Sequence, residues 1–554
     1  MRKIIVLLAA AFSVAACSRS GSSPDPDPPP SPVHFNFTNY TVDGKPAQNY
    51  NYDVRRQPQI RFKLPAKIDK ATAGGAVTLT RHQGGTIPLN LTYEGSDSIL
   101  VVQPAQTLGH YERYFLEVAS SLKSSNGGRL ITPVQLHFVT SLDSSDKFPR
   151  ITDEQLLTKV QEQTFRYFWD MAHPVSGLAR ERNSSGDIVT SGGSGFGIMA
   201  ILVAVHRNFI TRAEALTRLQ TMVSFLKNAD KVHGAFPHWL NGATGDIIAF
   251  STKDNGADLV ETSYLMQGLL TARQFFNGAD AAETTLRADI NSLWQGVEWS
   301  WFRKNNEQVL YWHYSNEYTW EMNMPIKGWN ECLITYVLAA SAPVHKIPKS
   351  VYDQGWASGG PMINNNNYFG VKLPLGPAFG GPLFFAHYSF LGLDPRGLSD
   401  AYGNYEQQVT NHSLINQKHC INNPNNQFGY SDQCWGLTAS DISGGYAASS
   451  PTNDLGVIAP TAALSSMPYT PAESMKALKF FYYVLGDKLF KQYGFIDAFS
   501  LKDQWFADSF LAIDQGPVII MIENHRSGLL WDLFMSCPEV KSGLQQLGFS
   551  YPGN

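Results

Sequence analysis

Apolar residues change their spacing near Ile151, and this change constrains the fold more than any other feature of the chain. Residues 33–145 hold short runs in which apolar and polar positions alternate, which is the period of a half-buried β-strand. For about 400 residues after that point, apolar positions recur with the period of an α-helix. The chain of 554 residues exceeds one ordinary domain. It is therefore predicted to hold a small β domain followed by a large helical domain.

The first of these segments contains seven β-rich runs, among them QIRFKL, AVTLTR, SILVVQPA and VQLHFVTS. Turns are predicted at Gly74-Gly75 and at Gly127-Gly128. This number of short strands predicts an all-β sandwich over residues 33–146, which resembles the bacterial Ig-like domains that precede secreted hydrolases. The segment shows no catalytic grouping. We expect a spacer or packing domain, with glycan binding as the alternative.

Helix signals dominate the second segment. Thr152 with Gln155 and Thr211 with Glu214 form capping boxes before amphipathic runs. Wholly apolar runs such as GFGIMAILVAV and ECLITYVLAA predict inner helices, and the amphipathic runs predict outer helices. Alternating inner and outer helices close into an all-α (α/α) barrel, predicted over residues 150–548. Further helices are expected at about 196–208, 258–276, 282–302, 330–341, 382–391, 400–418, 471–486, 515–523 and 526–535.

The N-terminal residues carry a targeting signal. Two basic residues precede the apolar stretch 4–14, which is too short to span a membrane, and residues 14–17, Val-Ala-Ala-Cys, resemble a bacterial lipobox. Residues 1–16 are predicted to be a lipoprotein signal peptide, Cys17 the lipidated residue, and residues 17–32 a flexible tether. This predicts a lipid-anchored protein of the periplasm, outer membrane or cell surface of a bacterium. An ordinary signal peptide is the alternative.

Charge and motifs exclude several functions. The net charge of −4 argues against nucleic acid as a partner. The chain contains no P-loop, no GxGxxG opening a βαβ unit, no HExxH and no GxSxG, so we expect neither a metal nor another cofactor. A monomer is expected. Cys420 and Cys434 could form a disulfide in an oxidising compartment or remain as thiols.

Acidic residues stand in unusual surroundings in the C-terminal third. Asp432, Asp441, Asp454, Asp514 and Glu523 lie in blocks rich in Trp, Tyr, Phe and Gly. Buried carboxylates are costly unless they are hydrogen-bonded or paired, so these blocks indicate a site. Aromatic faces beside carboxylates suit a sugar, because rings stack on sugar faces and a pair of acids can hydrolyse a glycosidic bond.

Acids at the starts of apolar helices are the catalytic candidates. Asp258 and Glu261 are three residues apart and share one helix face, although Asp-x-x-Glu is also a capping box. Glu331 enters an apolar helix beside Trp329, where dehydration would raise its pKa as a general acid requires. A first-turn Glu can also simply complement the helix dipole. Asp514 could N-cap its helix, with Pro517 in the first turn.

Aromatic and polar residues near these acids are candidate sugar contacts, although each aromatic residue taken singly is more often part of a core. Glu523 and Arg526 could instead form a salt bridge with each other. The candidate substrate-binding residues are Trp312, Tyr314, Trp329, His387, Trp435, Asp441, Glu523 and Arg526, and His313, Trp320, Tyr446, Trp505 and Arg182 are further possibilities.

Several blocks in one order carry a family resemblance: GWNECLITYVLAAS, NYFGVKLPL, CWGLTASDISGGY, VIAPTAALSSMPYTP, YGFIDAF and IDQGPVIIMIENHRSGLLW. They resemble the bacterial domain named "putative glucoamylase", which is shared with glycoside hydrolase family 144 and, more distantly, with the phosphorolytic end of cyclic β-1,2-glucan synthases. The resemblance covers about residues 150–548. It implies an (α/α)6 barrel that hydrolyses β-1,2-glucan to sophorose or short sophorooligosaccharides by an inverting mechanism.

The resemblance also favours Asp258, Glu261, Glu331 and Asp514 as cleft acids. We assign Glu331 as general acid and Asp514 as base, with Asp258 and Glu261 binding sugar or relaying a proton, and the family pattern leaves these roles open. His525 stands where the family more often has Tyr. Two other functions stay open: an α-glucan hydrolase, as the family label suggests, and a glycan-binding lipoprotein without activity. Endo and exo action are not distinguished.

Overall fold

The structure is a computed structural model that describes residues 32–552. Two compact units divide the chain between Leu142 and Asp143. Within the described range, no helix is both long enough and apolar enough to cross a bilayer. The predicted signal peptide, Cys17 and nearly all of the tether lie outside the described residues.

The first unit consists of two β-sheets around one apolar core. One sheet has the strand order β2-β1-β4-β7-β6, and the other has the order β3-β9-β8-β5. The pairing of β3 with β9 is parallel, and the other pairings are antiparallel. The strands are β1 (Asn39–Val42), β2 (Lys45–Pro46), β3 (Tyr50–Val54), β4 (Ile60–Lys63), β5 (Val77–Arg81), β6 (Leu89–Glu94), β7 (Ile99–Pro104), β8 (Arg113–Val118) and β9 (Val134–Thr140).

Each of the seven predicted β runs contains a strand, and alternate residues of these strands form the core. The turn predicted at Gly74-Gly75 is wrong, because both residues lie in a helix, α1 (Lys70–Ala76). The Asp69 side chain accepts a hydrogen bond from the Ala71 amide and so caps this helix. A good N-cap outweighs the low helix propensity of two glycines here.

The second unit is mainly helical. Its helices are α2 (Asp153–Trp169), α3 (Ser191–His206), α4 (Arg212–Asn228), α5 (Leu259–Phe275), α6 (Ala281–Gly296), α7 (Leu333–Ser341), the short turn α8 (Lys349–Val351), α9 (Tyr405–Asn422), α10 (Pro460–Ser465), α11 (Pro471–Lys479), α12 (Gly486–Leu489), α13 (Ala512–Arg526), α14 (Leu529–Met535) and α15 (Pro538–Leu547). Helices α3, α5, α7 and α13 are buried along most of their length. Helix α3 packs on α5 and α13. The amphipathic helix α2 covers α13, and the amphipathic helix α15 covers α7.

Both predicted capping boxes are confirmed, at the starts of α2 and α4. The single helix predicted at 382–391 is wrong, because the segment forms two 3₁₀ turns, Leu383–Ala386 and Tyr388–Leu391. The side chain of Gln267, which is distant in sequence, supplies backbone hydrogen bonds here. It donates to the Tyr388 carbonyl at 3.1 Å and accepts from the Gly392 amide at 2.8 Å. With these partners the segment does not need a continuous helical ladder.

Short two- and three-stranded sheets connect the helices. Their strands are β10 (Ile188–Thr190), β11 (Trp239–Asn241), β12 (Ile247–Ile248), β13 (Ala257–Asp258), β14 (His313–Tyr314), β15 (Asn367–Tyr368), β16 (Val371–Lys372), β17 (Ala439–Ile442), β18 (Gly445–Ala448), β19 (Phe490–Lys491), β20 (Gly494–Phe495), β21 (Phe499–Ser500) and β22 (Trp505–Phe506). The β13–β14 pair sets His313 directly opposite Asp258. Cys420 and Cys434 are buried free thiols, so the structure has no disulfide between them.

Candidate active site

A cavity of 320 Å³ lies where several buried helices of the second unit begin. Glu261 in the first turn of α5, Thr190 at the start of α3 and Ile513 of α13 contribute to its wall, and Tyr388 comes from the 3₁₀ segment. The remaining lining residues are Glu181, Arg182, His238, Trp239, Phe250, Phe384, Ala439, Tyr446, Leu511. The cavity thus joins acidic and aromatic side chains, the combination that sugars bind.

Asp258 and Glu261 begin the same helix but have different surroundings. Asp258 is the N-cap of α5, and its carboxylate accepts hydrogen bonds from the amides of Val260 and Glu261. Glu261 does not return a bond to the cap, as it would in a complete capping box. Its carboxylate instead accepts from the Gly192 amide at 2.8 Å and the Thr190 hydroxyl at 3.2 Å. Asp258 therefore caps helix α5, whereas Glu261 lines the cavity.

Two histidines lie against the same oxygen of Asp258, Oδ2. His238 Nδ1 lies 3.2 Å from its carboxylate, and His313 Nε2 lies 3.6 Å away and also 3.2 Å from Asp254. Burial would raise the pKa of Asp258, but these imidazoles outweigh it and lower that pKa. Burial would lower the pKa of His238, but Glu261 and Asp258 raise it to about 9. Asp258 is therefore an ionised carboxylate within a charged network.

The same residues offer donors that a cation could use. One donor atom each from His238, Asp254 and Asp258 lie within 4.8 Å of one another. The histidines bond the carboxylates in this arrangement, while the buried atoms Asp254 Oδ1 and His313 Nδ1 have no hydrogen-bond partner.

Glu331 precedes α7 by two residues and is partly buried beside the cavity acids. Burial raises its pKa to about 7, and the negative charges of Asp258 and Glu261 contribute in the same direction. Its backbone carbonyl is held by the hydroxyls of Ser389 at 2.5 Å and Tyr264 at 3.4 Å. The backbone of Glu331 is thus held in place, and its carboxyl has a pKa close to neutral pH, as a general acid requires.

Asp514 lies inside helix α13 and not at its N-cap, which is Leu511, so the predicted capping role is wrong. Pro517 likewise lies inside the helix. Asp514 is 2% exposed, and apart from the neighbouring carboxyl of Asp497 its Oδ2 atom has no hydrogen-bond partner. Burial raises its pKa, and the neighbouring charge of Asp497 raises it further.

Asp497 forms a buried carboxyl pair with Asp514. Its Oδ2 atom accepts a hydrogen bond of 2.6 Å from the Asp441 amide, while its Oδ1 atom has no partner. Burial raises the pKa of Asp497 to about 7. Two carboxyl groups this close do not both ionise readily, so the pair shares one proton near neutral pH.

Tyr388 connects the two sets of acids. Burial raises the pKa of its hydroxyl, and the charges of Asp514, Glu331 and Glu261 all add to the effect. Tyr388 is therefore near enough to all three carboxyl groups to experience their charge. Among residues 32–552, neither Glu331 nor Asp514 forms an ion pair with Lys, Arg or His within 4.0 Å.

A second, more open cavity of 660 Å³ adjoins the first and shares Arg182 and Tyr446 with it. Arg182 forms ion pairs with Glu181 at 2.9 Å and Asp441 at 3.2 Å. Trp505 also lines this cavity. The structure thus places Asp441 at a cleft, although its carboxylate is held by Arg182.

Seven of the eight predicted sugar contacts line neither of these two cavities, and five of the seven are aromatic residues or histidine. Trp329, His387 and Trp435 are buried, and the His387 ring bonds the Ser466 hydroxyl at 3.0 Å. Burial lowers the pKa of His387 to about 3. These three residues are core residues. Trp312 and Tyr314 flank His313 and are only half-buried, yet neither contributes to a cavity wall.

Glu523 and Arg526 are the clearest corrections among the predicted site residues. Both lie at the C-terminal end of α13, whereas Asp514 lies near its start. Glu523 pairs with Arg207, at 2.6 and 2.7 Å, and not with Arg526. Arg526 pairs with Glu154 at 2.8 Å. These residues connect helices, at the opposite end of α13 from Asp514.

Other predicted positions also lie outside the cavity. His525 is exposed at the same end of α13, so its departure from the family pattern does not affect the cavity. Asp454 is bound by His419 and Tyr430, both at 2.9 Å, and Asp432 pairs with Lys476.

Sequence reasoning missed Asp497, His238, Tyr388 and Phe250 as site residues. Asp497 stands in the block YGFIDAF, whose density of aromatic residues was the available signal. The Phe250 ring stacks on His238 with centroids 4.1 Å apart, yet both residues lie in loops that have no periodic pattern.

The fold and the site define a helical domain with an acid-lined cleft, preceded by an Ig-like β unit. The family model described as "Putative glucoamylase" matches residues 323–538, and that described as "Bacterial Ig-like domain" matches residues 40–140. An endo-β-1,2-glucanase from Chitinophaga pinensis is 52% identical, with a TM-score of 0.71 over 73% of this chain and 100% of that chain. The chain belongs to the "Putative glucoamylase" family.

Two further relatives come from Parabacteroides distasonis. The exo-β-1,2-glucooligosaccharide sophorohydrolase (non-reducing end) is 47% identical over 73% of this chain. The chain spans only 59% of the length of that curated relative. The structure of a β-1,2-glucanase is 38% identical, with a TM-score of 0.71, and covers 94% of this chain and 74% of its own.

Proposed function

We propose that this protein is a glycoside hydrolase that cleaves β-1,2-glucan to sophorose or short sophorooligosaccharides. The observation that carries the proposal is an aromatic-walled cavity lined by the Glu261 carboxyl, with Glu331 and Asp514, two carboxyls without ion-pair partners, close enough for their charges to act on the same acids and on Tyr388. A buried, unpaired carboxyl is costly, and an inverting hydrolase needs one protonated and one ionised carboxyl in this setting. The names of the relatives from Chitinophaga pinensis and Parabacteroides distasonis supply the β-1,2 linkage.

The helical unit is proposed to be an (α/α)6 barrel. Six buried segments alternate with more amphipathic ones along the chain, as inner and outer helices do. The six proposed inner segments are α3, α5, α7, the 3₁₀ segment 383–391, α10 and α13. Five of them begin at or next to the carboxyl groups described above, and α10 is tied to α13 through the bond from the Thr461 hydroxyl to the Asp514 carbonyl.

Glu331 is the proposed general acid. Cleavage of a glycosidic bond leaves an alkoxide unless the departing oxygen receives a proton. Glu331 holds a proton up to about pH 7 and donates it to that oxygen as the bond to the anomeric carbon breaks. The partly buried position raises its pKa while leaving the carboxyl accessible to a bound sugar.

Asp514 is the proposed base, with Asp497 as its positioning partner. Water attacks the anomeric carbon from the opposite face and passes a proton to the base. The Asp497–Asp514 pair carries one negative charge when it shares a single proton. The Asp441 amide favours the charge on Asp497, so Asp514 accepts a proton from water only after the shared proton has moved to Asp497.

Asp258 and Glu261 are proposed to bind sugar hydroxyls and to sustain the pKa of Glu331. Asp258 is ionised by its two histidines, so its charge disfavours ionisation of Glu331. Glu261 presents its carboxyl to the cavity. Phe250 and Tyr446 are about half exposed and offer ring faces to the sugar.

The proposal is tested by incubating the purified chain with linear β-1,2-glucan and separating the products by chromatography. Sophorose or a short β-1,2-linked ladder is expected, with no product from Glu331→Gln. A single disaccharide from the start would indicate exo action, and a ladder would indicate endo action. Cleavage of another glucan with none of β-1,2-glucan would overturn the substrate assignment.

Anchoring through a lipid on Cys17, which places a monomeric protein at a bacterial membrane or cell surface, is likewise a proposal. It is supported by the lipobox-like residues 14–17. Metabolic labelling with a clickable fatty acid should mark the wild-type chain and leave Cys17→Ser unlabelled. Equal labelling of both, or of neither, would contradict lipidation at this residue.

A further inference from the structure

The β unit carries its own cavity, of 540 Å³, which is unrelated to the acids of the helical unit. It lies beside the edge strand β3 and the neighbouring strand β9. Phe37, Tyr50 and His137 supply rings to its wall, and Asn49, Thr132 and Gln135 supply uncharged polar groups. None of its lining residues is Asp, Glu, Lys or Arg.

Tyr50 gives this cavity a flat, accessible face. Tyr50 is 55% exposed, and every other Phe and Tyr described in the β unit is buried or half-buried. The ring stacks on His137 with centroids 4.7 Å apart and an interplanar angle of 12°. Phe115 contacts the same imidazole at 4.9 Å. The rings are thus aligned by one another, so little conformational freedom is lost when a ligand stacks on Tyr50.

The backbone beneath the rings is also held in place. The His137 amide donates to the Asn49 carbonyl at 2.8 Å, and Tyr50 pairs with His137 in the parallel ladder. The Asn51 side chain donates to the His137 carbonyl at 3.2 Å. An edge strand with an exposed aromatic residue is a liability for aggregation unless the surface has a use.

The charge of the cavity narrows the class of ligand. Burial lowers the pKa of His137, and the charge of Arg113 acts in the same direction, so the imidazole is neutral at physiological pH. A wall of neutral rings, amides and a hydroxyl offers no cationic side chain to pair with a phosphate or a carboxylate. It suits a neutral sugar chain, whose ring faces stack on aromatic rings and whose hydroxyls bond amides.

We propose that the Tyr50 surface is a second glycan-binding site, which holds a neutral glucan chain through residues of the β unit that take no part in its cleavage. In identifying the glycan as β-1,2-glucan, the proposal rests on the proposed function. The site would hold a long chain near the enzyme and would leave short oligosaccharides unaffected, since these bind in the cleft alone. Binding at this site would raise the effective concentration of long glucan chains at the cleft.

Affinity electrophoresis of the full chain in gels containing long linear β-1,2-glucan tests the proposal. All proteins compared carry Glu331→Gln, so that the glucan stays intact. Tyr50→Ala should weaken retention by about five- to tenfold, and Tyr50→Phe, which keeps the ring, should restore it. Tyr93→Ala is the matched control, because Tyr93 is a half-buried tyrosine on the other sheet and outside the cavity. Equal retention of Tyr50→Ala and the control would overturn the proposal.

Kinetics separate this site from the cleft. In the active enzyme, Tyr50→Ala should raise KM severalfold for long glucan, leave kcat unchanged, and leave both constants unchanged for short oligosaccharides. A change with short oligosaccharides would contradict a separate site.

A panel of other neutral glucans in the gels separates the two proposals. If the wild-type chain cleaves no β-1,2-glucan but binds another glucan through Tyr50, the proposed function fails and the second site stands. If no glucan is retained through Tyr50 while β-1,2-glucan is cleaved, only the second site fails.

Discussion

Helix α13 carries two buried carboxyls, nine residues apart, with opposite surroundings. Glu523 accepts hydrogen bonds from Arg207, from Gln161 at 3.0 Å and from Ser527 at 2.6 Å. Apart from a second carboxyl beside it, Asp497, one oxygen of Asp514 has no partner. The sequence surroundings of the two acids are similar, so their neighbours in space decide their roles.

The two environments also shift the two pKa values in opposite directions. Burial would raise the pKa of Glu523, but Arg207 and the hydrogen bonds to Ser527 and Gln161 outweigh it and lower that pKa. Burial and Asp497 together raise the pKa of Asp514. A satisfied carboxylate stabilises the fold, whereas an unsatisfied one costs stability and is available for proton transfer.

The largest effect expected from this comparison is on catalysis. Glu331→Gln should lower kcat by about 10³-fold or more, because the leaving oxygen loses its proton donor. Glu523→Gln, an identical chemical change at the satisfied carboxylate, should leave the kcat of the folded enzyme within about twofold. Initial rates on β-1,2-glucan check both. Comparable losses of kcat in the two variants would show that hydrogen bonding and ion pairing of a buried acid do not distinguish catalytic from structural acids here.

Substitutions in the Asp497–Asp514 pair should also lower kcat, by somewhat less than Glu331→Gln does. Asp514→Asn should lower kcat by about 10²- to 10³-fold, because the proposed base is lost. Asp497→Asn should cost about tenfold and shift the acid limb of the pH–rate profile to lower pH, because Asp514 then ionises without a neighbouring carboxyl. An Asp497→Asn enzyme with an unaltered pH profile would argue against a positioning role.

The free energy of unfolding should change most at Glu523 and least at Asp514, which is the reverse of the order expected for kcat. Glu523→Gln should lower the free energy of unfolding by about 3 kcal/mol, because Arg207 loses its buried partner. Asp514→Asn should raise it by about 1 kcal/mol at pH 8, because a carboxyl that ionises unfavourably in the folded state is removed. Denaturant titration at pH 8 measures both. A loss of stability in Asp514→Asn would mean that its carboxyl has partners after all.

The pKa shifts of Glu331 and Glu523 also predict how activity and stability depend on pH. Glu331 has a folded pKa of about 7, above its ordinary value of 4.5, so kcat/KM should fall as pH rises through 7 and the acid loses its proton. Glu523 has a lowered pKa, so its stabilisation is complete above 4.5 and is lost as pH falls through the folded value. Rate profiles and thermal melts between pH 3 and pH 9 check these opposite slopes, with Glu523→Gln as the control for the acid limb of the melts.

Local signals predicted the helix starts well. Thr152 with Gln155, and Thr211 with Glu214, bond within one turn, so the pattern alone specifies the contact. The β strands were readable for the same reason, because alternation is a property of neighbouring residues. Glu331 and Asp514 were readable as acids placed in apolar surroundings.

Long-range contacts account for the failures. The 3₁₀ segment at 383–391 is stabilised by Gln267, Tyr469 and Trp531, which are far away in sequence. The Arg207–Glu523 pair joins residues 316 positions apart, and the Asp497–Asp514 pair has no characteristic spacing. No periodic or capping pattern encodes such contacts, so buried acids with and without partners look alike in sequence.

The account depends on a carboxyl that stays protonated near neutral pH without a charged partner. Infrared difference spectra of the wild-type protein minus Glu331→Gln, recorded across a pH titration, observe that carboxyl directly. We expect the protonated C=O band of Glu331 to persist at pH 6 and to give way to the carboxylate bands with a midpoint of about 7. A Glu331 that is already fully ionised at pH 5 would contradict the account.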